Sequence, residues 1–254
     1  MRIIAYLGFS YEMLQYLVSQ PVYDLQIVFA DRSRVTEKFV ELCKNNGISL
    51  LLIDCDAQIE TEKLRNIEFV VIYKTKVIVH QRLLEKCLFF NFHSGNLMTN
   101  KGPTPIVWTI LLGEKTTVLS LHRIDAKIDE GILIAEYQQE ITEKDTTVTI
   151  EKRLEQGFPY LFAQLEAFLD GRLPGRAVPQ GNYRRRIVFA DYALSQADDA
   201  EMVSRKVRSQ AAYGGLHYTV NGKNFRLFLA GTQPEGSCGE KILVQGAWFL
   251  GVPE

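Results

Sequence analysis

Short apolar runs separated by amphipathic stretches dominate the first half of the chain. Ile3–Leu7, Leu25–Ala30, Leu50–Ile53, Phe69–Tyr73 and Leu88–Phe92 are continuous enough to be strands buried on both faces. Between them the apolar residues recur at helical spacing. Ser10 is placed to cap a helix over Tyr11–Ser19, and Arg34–Asn46 reads as a helix closed by Gly47. Repeated alternation of this kind predicts an α/β fold with a mainly parallel, doubly wound sheet.

The pattern continues with a helix over Pro105–Leu112, ended by Gly113, then strands over Val118–Ile124 and Ile132–Ile141. Thr147–Leu169 is a long helical stretch in which Gly157 and Pro159 predict a kink or a split. Four Pro and Gly residues within Gly171–Gly181, with Gly171 itself, predict a linker. Beyond it lie a short helix, Ala200–Ser209, and a hairpin of Leu216–Val220 and Asn224–Ala230 on the tight Asn221-Gly222 turn. Lys241–Leu250 is a last β-type segment. The division expected is an α/β domain over 1–173 and a small β-rich C-terminal domain over 174–254. On the second hairpin strand Phe225, Leu227 and Leu229 share one face, which could pack inside the small domain or supply a homodimer surface.

Composition narrows the function classes. Of 254 residues, 46% are apolar, enough for a core, and the net charge is −1, so no basic field advertises nucleic acid. No apolar run approaches the ~20 residues of a membrane span. Cys43, Cys55, Cys87 and Cys238 are scattered, without a Cys-x-x-Cys pair, as expected of reduced cysteines in a cytoplasmic protein. His80, His122 and His217 form no zinc-type spacing, so no metal is expected. No Gly-x-Ser-x-Gly elbow marks a serine hydrolase, and Gly8-Phe9-Ser10 lacks the glycines of a dinucleotide loop.

Candidate chemistry gathers at the end of the Leu88–Phe92 strand. Asn91 and His93 are two apart, so their side chains point to one side, and ligands of open α/β sheets collect at carboxyl ends of strands. Ser120 and His122 alternate likewise on a later strand and could face the same cleft. Downstream stands Asp129-Glu130-Gly131. Further on, Tyr183 followed by Arg184, Arg185 and Arg186 is either a site for a phosphate or pyrophosphate, with Tyr183 stacking on a base, or a solvated basic cluster.

The order Asn91-x-His93, Lys101-Gly102-Pro103-Thr104-Pro105, Trp108, Gly113-Glu114, Ser120 and Asp129-x-Gly131 resembles the folate-dependent formyltransferases over roughly residues 1–170. The resemblance implies a Rossmann-like formyltransferase fold using N10-formyltetrahydrofolate, with Asn91, His93 and Asp129 as the catalytic set. By position it assigns the pterin to Thr75, Lys76, Val77 and Ile78 on one side and the Asp125–Asp129 loop on the other. Lys101 stands where arginine is usual and joins Tyr183 and Arg184 as an expected substrate contact. The length, Trp108 and Ser120-x-His122 are closest to enzymes that formylate the amino group of a nucleotide-linked dideoxy sugar for cell-surface polysaccharide (lipopolysaccharide) synthesis. A thymidine-linked 4-amino-4,6-dideoxyhexose is the first choice and a uridine-linked sugar the second. The alternatives are a methionyl-tRNA formyltransferase and a catalytically inactive, formyltransferase-like binding protein.

Overall fold

The computed structural model describes the whole chain, Met1–Glu254. The chain divides into two compact units, each built from several segments. One comprises Met1–His93, Leu119–Tyr137 and Glu155–Gly181; the other comprises Ser94–Val118, Gln138–Leu154 and Asn182–Glu254.

The apolar runs of the first half form strands β1 (Arg2–Gly8), β2 (Tyr23–Asp31), β3 (Ser49–Ile53), β4 (Phe69–Tyr73) and β5 (Leu88–His93). They are parallel and lie in the order β3-β2-β1-β4-β5, which reverses direction of winding at β1. The sheet then continues through β6 (Thr116–Ile124), β7 (Gly131–Glu140) and the two-residue β8 (Arg176–Ala177), with β6 antiparallel to β5 and β8 antiparallel to β7. The sheet is therefore mixed, with eight strands. β8 lies inside the stretch read from sequence as a linker; there the Val178 N–H also donates to the Gly131 carbonyl at 2.9 Å.

Helix α1 (Tyr11–Ser19) begins where Ser10 accepts the Met13 N–H at 3.2 Å, the expected cap. Helix α2 (Glu37–Asn45) starts later than expected, after Thr36. Instead of full helices, the β3–β4 connection uses two short 3₁₀ turns, and the β4–β5 connection uses the single-turn helix α3 (Gln81–Leu84). One face of the sheet carries α6 (Phe158–Leu169), whose Phe162 lies 4.8 Å centroid to centroid from Phe92 and whose Phe158 meets Phe92 and Tyr73 edge-on. The other face buries Ala5, Leu7, Ile72, Phe89 and Leu83 in one cluster. Gly157 and Pro159 do split the long helical stretch, leaving α5 (Thr147–Glu155) before α6.

In the second unit, helix α4 (Pro105–Leu112) ends on Gly113 in the left-handed region, as expected. After the single-turn helix α7 (Phe189–Tyr192) comes α8 (Ala200–Ser209), capped by Asp199, whose Val203 and Val207 pack against Phe225, Leu227 and Phe249. Those residues belong to a four-stranded antiparallel sheet of β9 (Leu216–Val220), β10 (Lys223–Phe228), β11 (Glu240–Val244) and β12 (Ala247–Pro253), in the order β11-β12-β10-β9. Phe225 and Leu227 thus lie in the core of this unit. Asn221 and Gly222 both have positive φ, the signature of the expected hairpin turn. The last β-type segment is a second hairpin rather than one strand: Gln245 and Gly246 turn it, again both at positive φ.

Candidate active site

Asn91 and His93 occupy the carboxyl end of β5, and the antiparallel register sets them opposite His122 and Ser120 of β6. All four side chains fall on one face because β residues alternate. The result is two rows. In the inner row, Asn91 Nδ2 lies 3.1 Å from His122 Nε2, and His122 Nδ1 lies 3.2 Å from the Glu130 carbonyl oxygen. That carbonyl can only accept, so Nδ1 carries the proton; in the neutral ring Nε2 is then an acceptor, and Asn91 must present its amide N–H to it. His122 is fully buried. It ties Asn91 to the loop that bears Asp129.

In the outer row, His93 is 7% exposed and its Nδ1 lies 3.6 Å from Asp129 Oδ1, itself 9% exposed. Asp129 reaches it from a left-handed conformation, φ +53°. A residue with a Cβ pays about 1–2 kcal/mol to stay there. Two residues on, Gly131 has φ +114°, and a Cβ there would run into the Arg123 carbonyl oxygen. This explains the glycine of the Asp-x-Gly element: the loop folds back against β6 and only glycine allows the approach. Fully buried Ser120 donates to Glu136 Oε1 at 3.4 Å, and Glu136 Oε2 pairs with Arg176 at 3.0 Å.

The adjoining strand ends are also cross-braced. Tyr6 OH donates to the Tyr73 carbonyl at 3.0 Å and accepts the Ser10 N–H at 3.0 Å; complete burial pushes its pKa well up, so it stays a neutral phenol. Lys74, at φ +52°, pairs with Glu155 at 3.0 Å, and Tyr73 OH donates to the same carboxylate at 3.2 Å.

The expected pterin segment follows at once. Thr75 Oγ1 accepts the Val77 N–H at 3.1 Å, Val77 is buried and Ile78 is exposed. Lys76 lies 3.4 Å from Asp31 Oδ2. Burial works to raise the Asp31 pKa, but the Ser33 hydroxyl and amide donors and the Lys76 cation outweigh it and hold it below its usual range. A cavity of about 540 Å³ opens beside the other expected element, lined by Gln81, Leu84, Phe89, Asp125, Glu130 and Ile132 among others. Cys87 also borders it, but burial pushes that thiol up to about 11, which leaves it unreactive. Of this lining the sequence points only to Asp125. Phe89 had a legible signal, being two residues before Asn91 on the same strand face.

The expected substrate contacts lie in the second unit. Lys101 is buried, and its N–H donates to the Asn182 carbonyl at 3.1 Å, while its carbonyl accepts from Arg184 at 2.7 Å; a parallel bridge pairs it with Tyr183. Gly102, at φ +112°, leaves room for the Arg184 carbonyl. Tyr183 is 58% exposed. The Arg184 and Arg185 guanidiniums lie 6.0 and 5.6 Å from the Trp108 ring, and Arg185 is engaged bidentately by Asp191 at 2.7 Å on each arm. Asn100 and Thr109 donate to Glu114 beneath this loop at 2.8 and 3.2 Å. Burial raises the Glu114 pKa, and those two donors only partly offset it.

The arrangement is that of the formyltransferase fold. The crystal structure of WlaRD, a sugar 3N-formyl transferase in the presence of dTDP and 5-N-formyl-THF, superposes with a TM-score of 0.71 at 16% identity, covering 100% of this chain and 97% of that one. A 4-N formyltransferase from Francisella tularensis gives 0.68 at 16% identity, with the same coverages. HypX from Aquifex aeolicus in complex with tetrahydrofolic acid gives 0.70 at 18%, covering 98% of this chain but 43% of HypX. Among curated proteins, the bifunctional polymyxin resistance protein ArnA of Wigglesworthia glossinidia brevipalpis is 42% identical over 65 residues, 26% of this chain and 10% of ArnA. The methionyl-tRNA formyltransferase of Paraburkholderia phytofirmans is 30% identical over 175 residues, 64% of this chain and 53% of that enzyme. The chain spans about half the length of the methionyl-tRNA formyltransferases it matches. No protein-family model matches it.

Proposed function

We propose that the protein transfers a formyl group from N10-formyltetrahydrofolate to the amino group of a nucleotide-linked amino-dideoxy sugar. The observation that carries this reading is the Asn91–His122–Glu130 relay beside the His93–Asp129 pair. Together they hold an amide donor and an imidazole on one face of the sheet, as acyl transfer to an amine requires. The residues present fit the folate: a cavity bordered by Phe89, aliphatic side chains and the polar Asp125 suits a heterocycle with hydrogen-bonding edges. Thr75, Lys76, Val77 and Ile78 would close the site from the β4 side. Bound folate supplies the formyl carbon.

The chain's own residues do the rest. Asn91 spends one amide N–H on His122 and keeps the other for the oxyanion that develops on the carbonyl under attack. Such a donor contributes roughly 3–4 kcal/mol to the barrier elsewhere. His93 accepts the amine's proton as nitrogen bonds to carbon and returns it to the folate nitrogen as the carbon–N10 bond breaks, so that tetrahydrofolate leaves. Asp129 orients the ring and stabilises its charged form. Tyr183 stacking on the base, with Arg184 and Lys101 on the pyrophosphate, selects the nucleotide. A thymidine-linked 4-amino-4,6-dideoxyhexose is the favoured acceptor, and cell-surface polysaccharide synthesis its setting. The end-to-end match to the sugar-modifying enzymes supports this acceptor class over initiator tRNA.

A thermal-shift panel of thymidine- and uridine-linked amino sugars, run with a folate analogue present, tests the proposal. An acceptor at a hundred times its Kd adds about 2.7 kcal/mol to stability. A melting temperature unmoved by every sugar nucleotide, with a gel shift of initiator tRNA instead, would replace this reading by the tRNA enzyme.

A further inference from the structure

We infer that Glu136 is the carboxylate that docks the acceptor's amino group in its ammonium form, which makes it a specificity-determining residue for amines. The inference rests on the formyl-transfer reading and adds a role that the Asn91, His93 and Asp129 set leaves open. An amino sugar reaches the enzyme largely protonated near neutral pH, because an aliphatic amine flanked by electron-withdrawing oxygens titrates at about 8. Something must hold that cation beside the base.

Glu136 is placed to do so. His93 and Ser120 are paired across β5 and β6, and Ser120 donates to Glu136 Oε1 at 3.4 Å. An imidazole, a hydroxyl and a carboxylate therefore run in one row across three neighbouring strands, on the face that carries Asn91. The second oxygen of Glu136 pairs with Arg176 at 3.0 Å, so both carboxylate oxygens have a partner that orients them. Its side chain is 28% exposed, whereas Ser120 is fully buried, so the carboxylate and not the hydroxyl is open to an incoming group. The other acid of the site, Asp129, is committed to His93. β6 lies between β5 and β7, so the backbones of His93 and Glu136 are two strand spacings, roughly 10 Å, apart, and the Glu136 side chain turns toward Ser120 in the gap. An ammonium seated on Glu136 sheds one proton to solvent before it can attack, which leaves His93 free to take the second as the new bond forms.

The test is a pH-resolved comparison of wild type with Glu136→Gln and Glu136→Asp, using N10-formyltetrahydrofolate and dTDP-4-amino-4,6-dideoxyglucose. The expected result is that Glu136→Gln raises the acceptor KM about tenfold near pH 6.5, where the amine is charged, and by less than about threefold near pH 9, where it is neutral. Folate Kd should not move. Glu136→Asp keeps the charge one methylene further back and should lie between the two; it also serves if the glutamine variant does not fold. An active wild type whose KM changes by the same factor at both pH values, or not at all, overturns the inference and leaves the proposed function standing. A wild type that formylates no amino sugar overturns both.

Discussion

The β5–β6–β7 face and the Lys101–Tyr183–Arg184 loop are built in opposite ways. On the sheet face each side chain answers another: Asn91 to His122, His122 to the Glu130 carbonyl, His93 to Asp129. His122 and Ser120 are sealed, and His93 and Asp129 nearly so. Around Tyr183 the backbone is fixed through Lys101, but the ring is 58% exposed and the nearby cations are spread over the Trp108 face. Groups that must stabilise charge cannot afford to reorganise, so their positions are over-determined. Groups that choose among ligands bind equally in ground and transition state, and can stay on the surface. Under the proposed function, the charge-stabilising groups and the nucleotide contacts therefore lie on separate elements, with Glu136 alone selecting acceptors from the sheet face, and mutations should divide accordingly.

The largest effect expected is at Asn91, the proposed oxyanion donor. Asn91→Ala should lower kcat by about 10²–10³ while folate Kd changes by less than about threefold. The reverse pattern, with binding lost and turnover kept, would move Asn91 from the chemical to the binding side. Next, His122→Phe removes the acceptor that aims Asn91 and orphans the Glu130 carbonyl, which costs about 1–3 kcal/mol of stability. Turnover should fall about 10–100-fold in single-turnover assays, with the acceptor KM little changed. Tyr183→Ala should do the opposite, raising the acceptor KM about tenfold at unchanged kcat.

The smallest effect concerns the β4 loop. Asp31 has a depressed pKa, so its contribution to stability is fully present above the ordinary carboxylate pKa and is lost as pH falls through its lower folded value. Asp31→Asn should therefore melt a few degrees below wild type at neutral pH, and the gap should close below about pH 4. A gap that persists in acid would mean that Ser33 and Lys76 are not what holds the carboxylate ionised.

How much of this was readable in advance follows from the range of each interaction. Phe69–Tyr73 and Ala200–Ser209 were bounded correctly from local pattern, and Asn221-Gly222 named its own turn. Gln245-Gly246 does not name its turn, because glutamine seldom adopts the left-handed region, so the local pattern shows one β segment where the structure has two strands. Arg176–Ala177 hid among glycines and prolines that suggested only a linker. At the site, Asn91 and His93 were visible as strand neighbours. The pairing of Asn91 with His122 depends on a 31-residue separation and on antiparallel register, which no local pattern carries. Glu136 gave no signal at all; its meaning comes from Ser120 alongside it.

The central claim is that His93 takes the amine's proton during formyl transfer. Rapid-quench turnover of wild type and His93→Asn, with N10-formyltetrahydrofolate and dTDP-4-amino-4,6-dideoxyglucose and mass detection of the formamide product, tests it directly. The account predicts product from wild type and a rate at least about 10² lower in the variant, with the fold intact by melting. A variant within about tenfold of wild type, a barrier change under ~1.4 kcal/mol, would contradict it.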